Sequence, residues 1–307
     1  MAFTLAHLSD VHLGMLTPGA AWKHFSLKRS IGSFSWNFAR SRIHDPMVSR
    51  AIVDDIKQSE VDHVALTGDL LNVAAHAEFE RGAQWLKDFG EPEWISFVPG
   101  NHDAYVPVRW EHGLYQFALY MKGDMSVAGT TTWAHNAATF PYVRLRRNVA
   151  LIGLSSGIPQ PLWKAGGTLG HKQLLALAKL LSDLKARGYF RVVMIHHPPL
   201  LGLSSPRKAL TDAKDLQKVL NAEGAELVLH GHNHHAMLHH AEGAGGRTPV
   251  IGVPSASSNG QNFHELAAWN KCEISRNGGV WQTDITVRGW DPKSQTVVTK
   301  KQFSLPS

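Results

Sequence analysis

The sequence predicts an α/β fold in which two β-sheets pack together and are flanked by helices. Three observations point there. The first part of the 307-residue chain alternates short apolar runs with helical periodicity, the pattern of βαβ units. The later part is rich in strand patterns. In addition, five clusters of Asp, Asn and His each follow an apolar run: Asp10-Val11-His12, Gly68-Asp69, Gly100-Asn101-His102-Asp103, His196, and Gly231-His232-Asn233-His234. One site built from all five would draw on most of the chain, which favours a single domain over 1–307.

The elements follow in order. Residues 3–9 (FTLAHLS) read as the first strand. Residues 45–59 read as a helix, with Asp45 as N-cap and Pro46 at the first helical position. A strand at 61–67, a helix at about 76–89 ending at Gly90, and a strand at 94–99 come next. After a loop-rich stretch, alternation over 140–154 predicts a β-hairpin. The leucine-rich segment 170–188 is strongly periodic and closed by Gly188, so it reads as a helix. A strand at 190–195, a helix at about 212–222 and a strand at 225–230 precede a β-rich segment at about 240–307, with short strands expected over 248–304.

Composition narrows the function classes. Hydrophobic residues make up 43% of the chain, ample for a soluble core. With Cys272 as its only cysteine, the chain can form no internal disulfide and no thiolate metal cluster. It opens directly on a strand and has no apolar run of bilayer-spanning length, so the expected location is cytoplasmic. A net charge of +6 favours anionic partners but is modest for a nucleic-acid binder.

The segment 15–44 stands apart. Lys23, Lys28, Arg29, Arg40 and Arg42 occur there without an acidic residue before Asp45, interleaved with Trp22, Phe25, Phe34, Trp36 and Phe38. Such a segment suits a lid over an anionic, partly apolar substrate, or an interfacial element giving peripheral membrane contact. Packing of the same aromatics on the sheets is the bland reading. Arg144, Arg146 and Arg147 form a second basic patch, explained adequately by a strand edge.

The clusters themselves carry the chemistry. Asp10 and His12 are two apart and on a regular strand would share a face. Gly68 permits a sharp turn that exposes Asp69, whose two oxygens can bridge two ions. Asn101 offers a neutral carbonyl oxygen, His102 projects towards a ligand, and Asp103 is expected to orient the His102 ring. His196 ends its strand as a ligand candidate, His197 beside it is a residue backing the ligands, a loop residue or a substrate-contact candidate, and His232 and His234 supply one imidazole each. Oxygen and imidazole donors without thiolate suit divalent manganese, iron or zinc. Each motif alone has an ordinary turn or packing explanation; all five in sequence, each after a strand, are specific.

This series resembles the calcineurin-like metallophosphoesterase superfamily over roughly residues 3–255, with every ligand position filled. The resemblance implies a four-layer α/β/β/α sandwich of two mixed sheets, with a dinuclear metal site at the strand C-terminal ends. It implies that Asp10, His12 and His234 bind one ion, that Asn101, His196 and His232 bind the other, and that Asp69 bridges. It assigns His102 as the catalytic histidine with Asp103 as its partner, and in-line attack of a metal-bridging hydroxide on phosphorus. The Asn-His-Asp triplet is similar to that of class III cyclic-nucleotide and glycerophosphodiester phosphodiesterases, so a phosphodiester is the expected substrate. The alternatives are a phosphomonoesterase or lipid-phosphate or pyrophosphate hydrolase at a membrane surface, then a nuclease, then a non-catalytic scaffold. The common lipid pyrophosphatases of the superfamily carry arginine where His102 stands. The expected substrate contacts are Lys23, Lys28, Arg29, Trp36, Arg40 and His197; the oligomeric state is not legible.

Overall fold

The computed structural model describes residues 2–14, 28, 42–124 and 140–305. In chain order its first elements are β1 (Phe3–Leu8), α1 (Pro46–Gln58), β2 (His63–Leu66), α2 (His76–Phe89), β3 (Ile95–Phe97), β4 (Tyr142–Arg146) and β5 (Val149–Gly153). There follow α3 (His171–Ala186), β6 (Phe190–Met194), α4 (Ala213–Glu223), β7 (Leu227–His230), β8 (Met237–Gly243), β9 (Gly246–Gly252), β10 (Ala268–Asn277), β11 (Val280–Asp291) and β12 (Thr296–Leu305).

Two six-stranded mixed sheets result, ordered β12-β11-β10-β1-β2-β3 and β4-β5-β6-β7-β9-β8. Strands β1, β2 and β3 run parallel, as do β5, β6, β7 and β9. Strand alternation divides the core. Val192 and Met194 of β6, with Leu227 and Leu229 of β7, join the apolar cluster shared with Leu5, Leu8 and Leu66 of the first sheet. Their neighbours Val193, Ile195 and Val228 join a second cluster with Leu177, Leu181 and Leu184 of α3 and Leu216 and Leu220 of α4. Helices α1 and α2 bury Ile52, Ile56, Phe79 and Leu86 on the first sheet's side. This is the four-layer α/β/β/α sandwich, and each buried Leu, Ile or Val contributes about 1.5–3 kcal/mol relative to exposure.

Local chemistry sets the boundaries. Asp45 caps α1 by accepting the Met47 N–H at 2.8 Å, with Pro46 as the first helical residue. Gly188, at φ +76°, turns the chain just beyond α3.

Three expectations need correcting. The strands after 248 are mostly long: β10, β11 and β12 have 10, 12 and 10 residues and form a meander that extends the first sheet. Strand β8 was not foreseen, because its Leu-His-His-Ala sequence carries exposed polar residues on an edge. Arg144 does lie on the edge strand β4 but belongs to no surface patch; it is 2% exposed and donates to the carbonyl oxygens of Lys122, Pro92, Ile95 and Leu119. Arg146 and Arg147 pair with Asp124 and Asp62. Among the described residues no helix is long and apolar enough to cross a membrane.

Candidate metal centre

The parallel strands of both sheets end at one rim, and the five clusters meet there. Asp10 and His12 follow β1, Asp69 follows β2, and Asn101 and His102 follow β3, while His196 follows β6 and His232 and His234 follow β7. Backbone bonds lace the loops together beyond the strands: Asp10 N–H to Gly68 O at 2.9 Å, His12 N–H to Asp69 O at 3.0 Å, and Gly231 N–H to His196 O at 3.0 Å.

The convergence of Asp10 with His12 does not come from strand alternation. Asp10, His12, Asp69, His232 and His234 all lie beyond their strands in the left-handed region, with φ of 56°, 46°, 54°, 69° and 59°. Such strain gathered at one locus is characteristic of functional sites. Two glycines make it possible. Gly68 itself has φ +97°, and a Cβ on it would meet the His196 ring at 2.7 Å. A Cβ on Gly231 would collide with Ser9 and the Asp10 carboxylate.

Two donor groups result, and Asp69 lies between them. On one side, His234 Nε2 lies 3.1 Å from Asp10 Oδ1 and 3.3 Å from His12 Nε2, and His12 Nε2 lies 4.0 Å from Asp69 Oδ2. On the other, His196 Nε2 lies 3.3 Å from Asp69 Oδ2, 3.2 Å from Asn101 Oδ1 and 3.3 Å from His232 Nδ1. Donors about 2.1 Å from a common ion stand roughly 3–4 Å apart, so both groups fit divalent cations. Three of the imidazoles give their other nitrogen to a backbone carbonyl: His12 to Leu71 O at 3.2 Å, His196 to Thr67 O at 2.8 Å and His232 to Lys208 O at 2.9 Å. A carbonyl can only accept, so each bond fixes a tautomer whose lone pair faces the donor group.

The electrostatics favour the same states at Asp69, His12 and His232, but not at His196: burial works to lower that ring, the Asp69 carboxylate outweighs it and raises it to about 9, and a metal must displace the proton. Burial works to raise the Asp69 carboxyl, but His196 and His102 outweigh it and hold the group well below the usual carboxylate range. Burial, with the neighbouring His44 and His102, keeps the His12 imidazole neutral. Burial likewise pushes His232 down, with His197 and His196 adding to the effect. Anionic carboxylates and neutral imidazoles are the forms that bind metal.

Asp103 is not where the sequence placed it. Its carboxylate accepts the backbone N–H groups of Asp69 and Gly100 at 2.8 Å and of Leu70 and Leu71 at 3.0 Å. The oxygen facing His102 Nδ1 belongs to the Asn72 carbonyl. The Gly100–Asp103 turn directs the carboxylate back under the loop after β2, whose N–H groups need an acceptor. Burial, then the charge of Asp69, pushes Asp103 up to about 7, against the pull of those N–H donors.

His102 itself sits at the rim, with its ring 5.0 Å from that of His12 and stacked on Tyr105 at 5.7 Å. His197 is fully buried, with Nδ1 2.8 Å from Ser156 Oγ and Nε2 3.1 Å from Ala165 O. Burial first, then His196, lowers it to about 3. It therefore cannot contact substrate as expected; it backs the His232 ring at 4.4 Å. Lys28 directs its ammonium to the carbonyls of Tyr105 and Gln160 at 2.5 and 2.6 Å and over the Tyr105 ring at 4.1 Å. Lys23, Arg29, Trp36 and Arg40 lie outside the described residues.

Two contributors escaped the sequence reading. Asn72 acts through its backbone oxygen, which no side-chain pattern reveals. His44 has a ring 4.5 Å from that of His12, and its only signal was a histidine immediately before the Asp45 N-cap.

A mixed nitrogen and oxygen donor set at the shared rim of a four-layer sandwich could hold metal ions, and the family match makes the chain a metal-dependent phosphoric ester hydrolase. The chain belongs to the calcineurin-like phosphoesterase family, whose model matches residues 3–236. It is 24% identical over 288 residues, 93% of this chain and 92% of the relative, to a probable cyclic nucleotide phosphodiesterase from a Synechococcus strain. In fold it is similar to a dimetal phosphatase from Danio rerio, with a TM-score of 0.61 at 13% identity over 97% of this chain and 98% of that one. A purple acid phosphatase from yellow lupin seeds gives a TM-score of 0.57 at 11% identity, covering 99% of this chain and 53% of the lupin protein, so this chain spans about half its length.

Proposed function

We propose that this enzyme hydrolyses a phosphodiester, with two divalent ions held at the rim and His102 assisting departure of the leaving group. Asp10, His12 and His234 would hold one ion, Asn101, His196 and His232 the other, and Asp69 would be shared between them. Manganese, iron and zinc all suit these donors. When bound, the ions supply a strong nucleophile from water at neutral pH and neutralise the phosphoryl oxygens.

The position of His102 carries the reading. Its backbone N–H donates to Asp69 Oδ1 at 2.7 Å, which fixes it beside the bridging carboxylate. Because the Asn72 carbonyl accepts from Nδ1–H, leaving-group work falls to Nε2, which in its protonated form donates to the departing oxygen. A diester of two alkyl alcohols has a poor alkoxide leaving group that needs this proton. The Synechococcus relative, named as a probable cyclic nucleotide phosphodiesterase, supports a diester and makes a cyclic nucleotide the first compound to try.

The test is a parallel assay of the metal-loaded enzyme on an aryl diester, an aryl monoester, cyclic nucleotides and a lipid pyrophosphate. Diesters, cyclic or linear, are expected to turn over fastest in kcat/KM. A monoester or lipid pyrophosphate that is preferred over every diester would overturn the assignment.

A further inference from the structure

Resting on the metal-site reading above, we infer that His44 is an additional imidazole donor to the ion held by Asp10, His12 and His234. One nitrogen each of His12, His44 and His234 forms a group whose members all lie within 4.8 Å of one another, so small side-chain shifts would bring the three onto one cation. The His44 ring is 5.7 Å from that of His234, as well as 4.5 Å from that of His12. It is 5% exposed, so it belongs to the floor of the site rather than its mouth.

His44 also has the outer support seen on the other donors. Its Nδ1 lies 2.8 Å from Ser257 Oγ, as the second nitrogens of His12, His196 and His232 are bound to carbonyl oxygens. Donation from Nδ1 to that hydroxyl would turn the Nε2 lone pair towards the ion. The backbone clamps this arrangement from both sides: Asp45 N–H donates to Ser257 O at 2.8 Å, Asn259 N–H to Ile43 O at 2.9 Å, and His44 bridges Ser258. From the same serine loop, Ser255 Oγ donates to the Asp10 carbonyl at 2.6 Å. One loop therefore positions His44 and Asp10 together.

The experiment titrates Mn(II), and separately Co(II), into the demetallated full-length chain by calorimetry and visible absorption. The wild type is compared with His44→Ala, His44→Gln and Ser257→Ala. The expected result is two binding steps in the wild type, one of them weakened by at least about 10- to 100-fold in both His44 variants and the other unchanged. Ser257→Ala should weaken the same step less. The Co(II) absorption of that step should also change band position or intensity, because a nitrogen donor has gone. Circular dichroism and melting of the metal-free variants check folding, and the glutamine and serine variants carry the test if the alanine variant does not fold. Two wild-type steps that persist unaltered in His44→Gln overturn the His44 assignment alone. A wild type that takes up no ion overturns the underlying metal-site reading as well.

Discussion

The Asp103 carboxylate accepts the backbone N–H of Asp69 at 2.8 Å, and Asp69 in turn accepts the N–H of His102 at 2.7 Å. The loops after β2 and β3 are thus tied in both directions, and Asp69 is held at its backbone and at its side chain. Asp103 serves the site by shaping the loop that carries the donors.

Replacing Asp103 should therefore act first on stability. Asp103→Ala leaves four buried N–H groups without their acceptor, at about 1–3 kcal/mol each, so a loss of about 3 kcal/mol or more is expected. Asp103→Asn keeps one oxygen and should lose less. Urea denaturation of the metal-free chain measures both; an alanine variant within about 1 kcal/mol of wild type would refute the staple.

His102→Ala should reduce kcat on an alkyl diester by about 10²- to 10⁴-fold while metal content stays at the wild-type level. The deficit should shrink on a nitrophenyl diester, whose leaving group departs without a proton. Equal deficits on both substrates would rule out proton donation.

Arg144 places its guanidinium against four backbone carbonyls in the interior. A lysine has one point of charge and cannot reach all of them. Both Arg144→Lys and Arg144→Met should lower unfolding free energy by about 3 kcal/mol or more, with activity per folded molecule unchanged. Retention of stability in the lysine variant would show that charge alone matters there.

Burial pushes the Cys272 thiol up to about 12, and its side chain is fully enclosed. As the only cysteine, it should give no reaction with a thiol-disulfide reagent in the native protein at neutral pH and one equivalent in denaturant. Prompt native labelling would contradict the packing of β10 in the core.

The residues that meet at the rim were legible because each sits directly after an apolar run, and the rim of a parallel sheet collects such positions whatever the loops do. Helix limits were equally open, since Asp45-Pro46, Gly90 and Gly188 act on the backbone locally. What stayed hidden depends on contacts remote in sequence. His44 meets His12 only because the loop at 255–259 folds over both, and the Asn72 carbonyl has no side-chain signature. Asp103 was assigned to its sequence neighbour His102, whereas its true partners are 32 to 34 residues upstream as well as three. The long β10–β12 meander was underestimated because its exposed face is polar.

The left-handed backbone at Asp10, His12, Asp69, His232 and His234 has an evolutionary consequence. Each non-glycine residue held in that region costs about 1 kcal/mol or more relative to glycine. Glycine at any of the five would relax the chain while deleting a donor. On the proposed metal-site reading, stability and ion binding therefore pull in opposite directions at the same five positions, and bound ions would reconcile them. A lineage released from selection for turnover would become sturdier as its donors eroded, so decay into an inert relative is a downhill path for this fold.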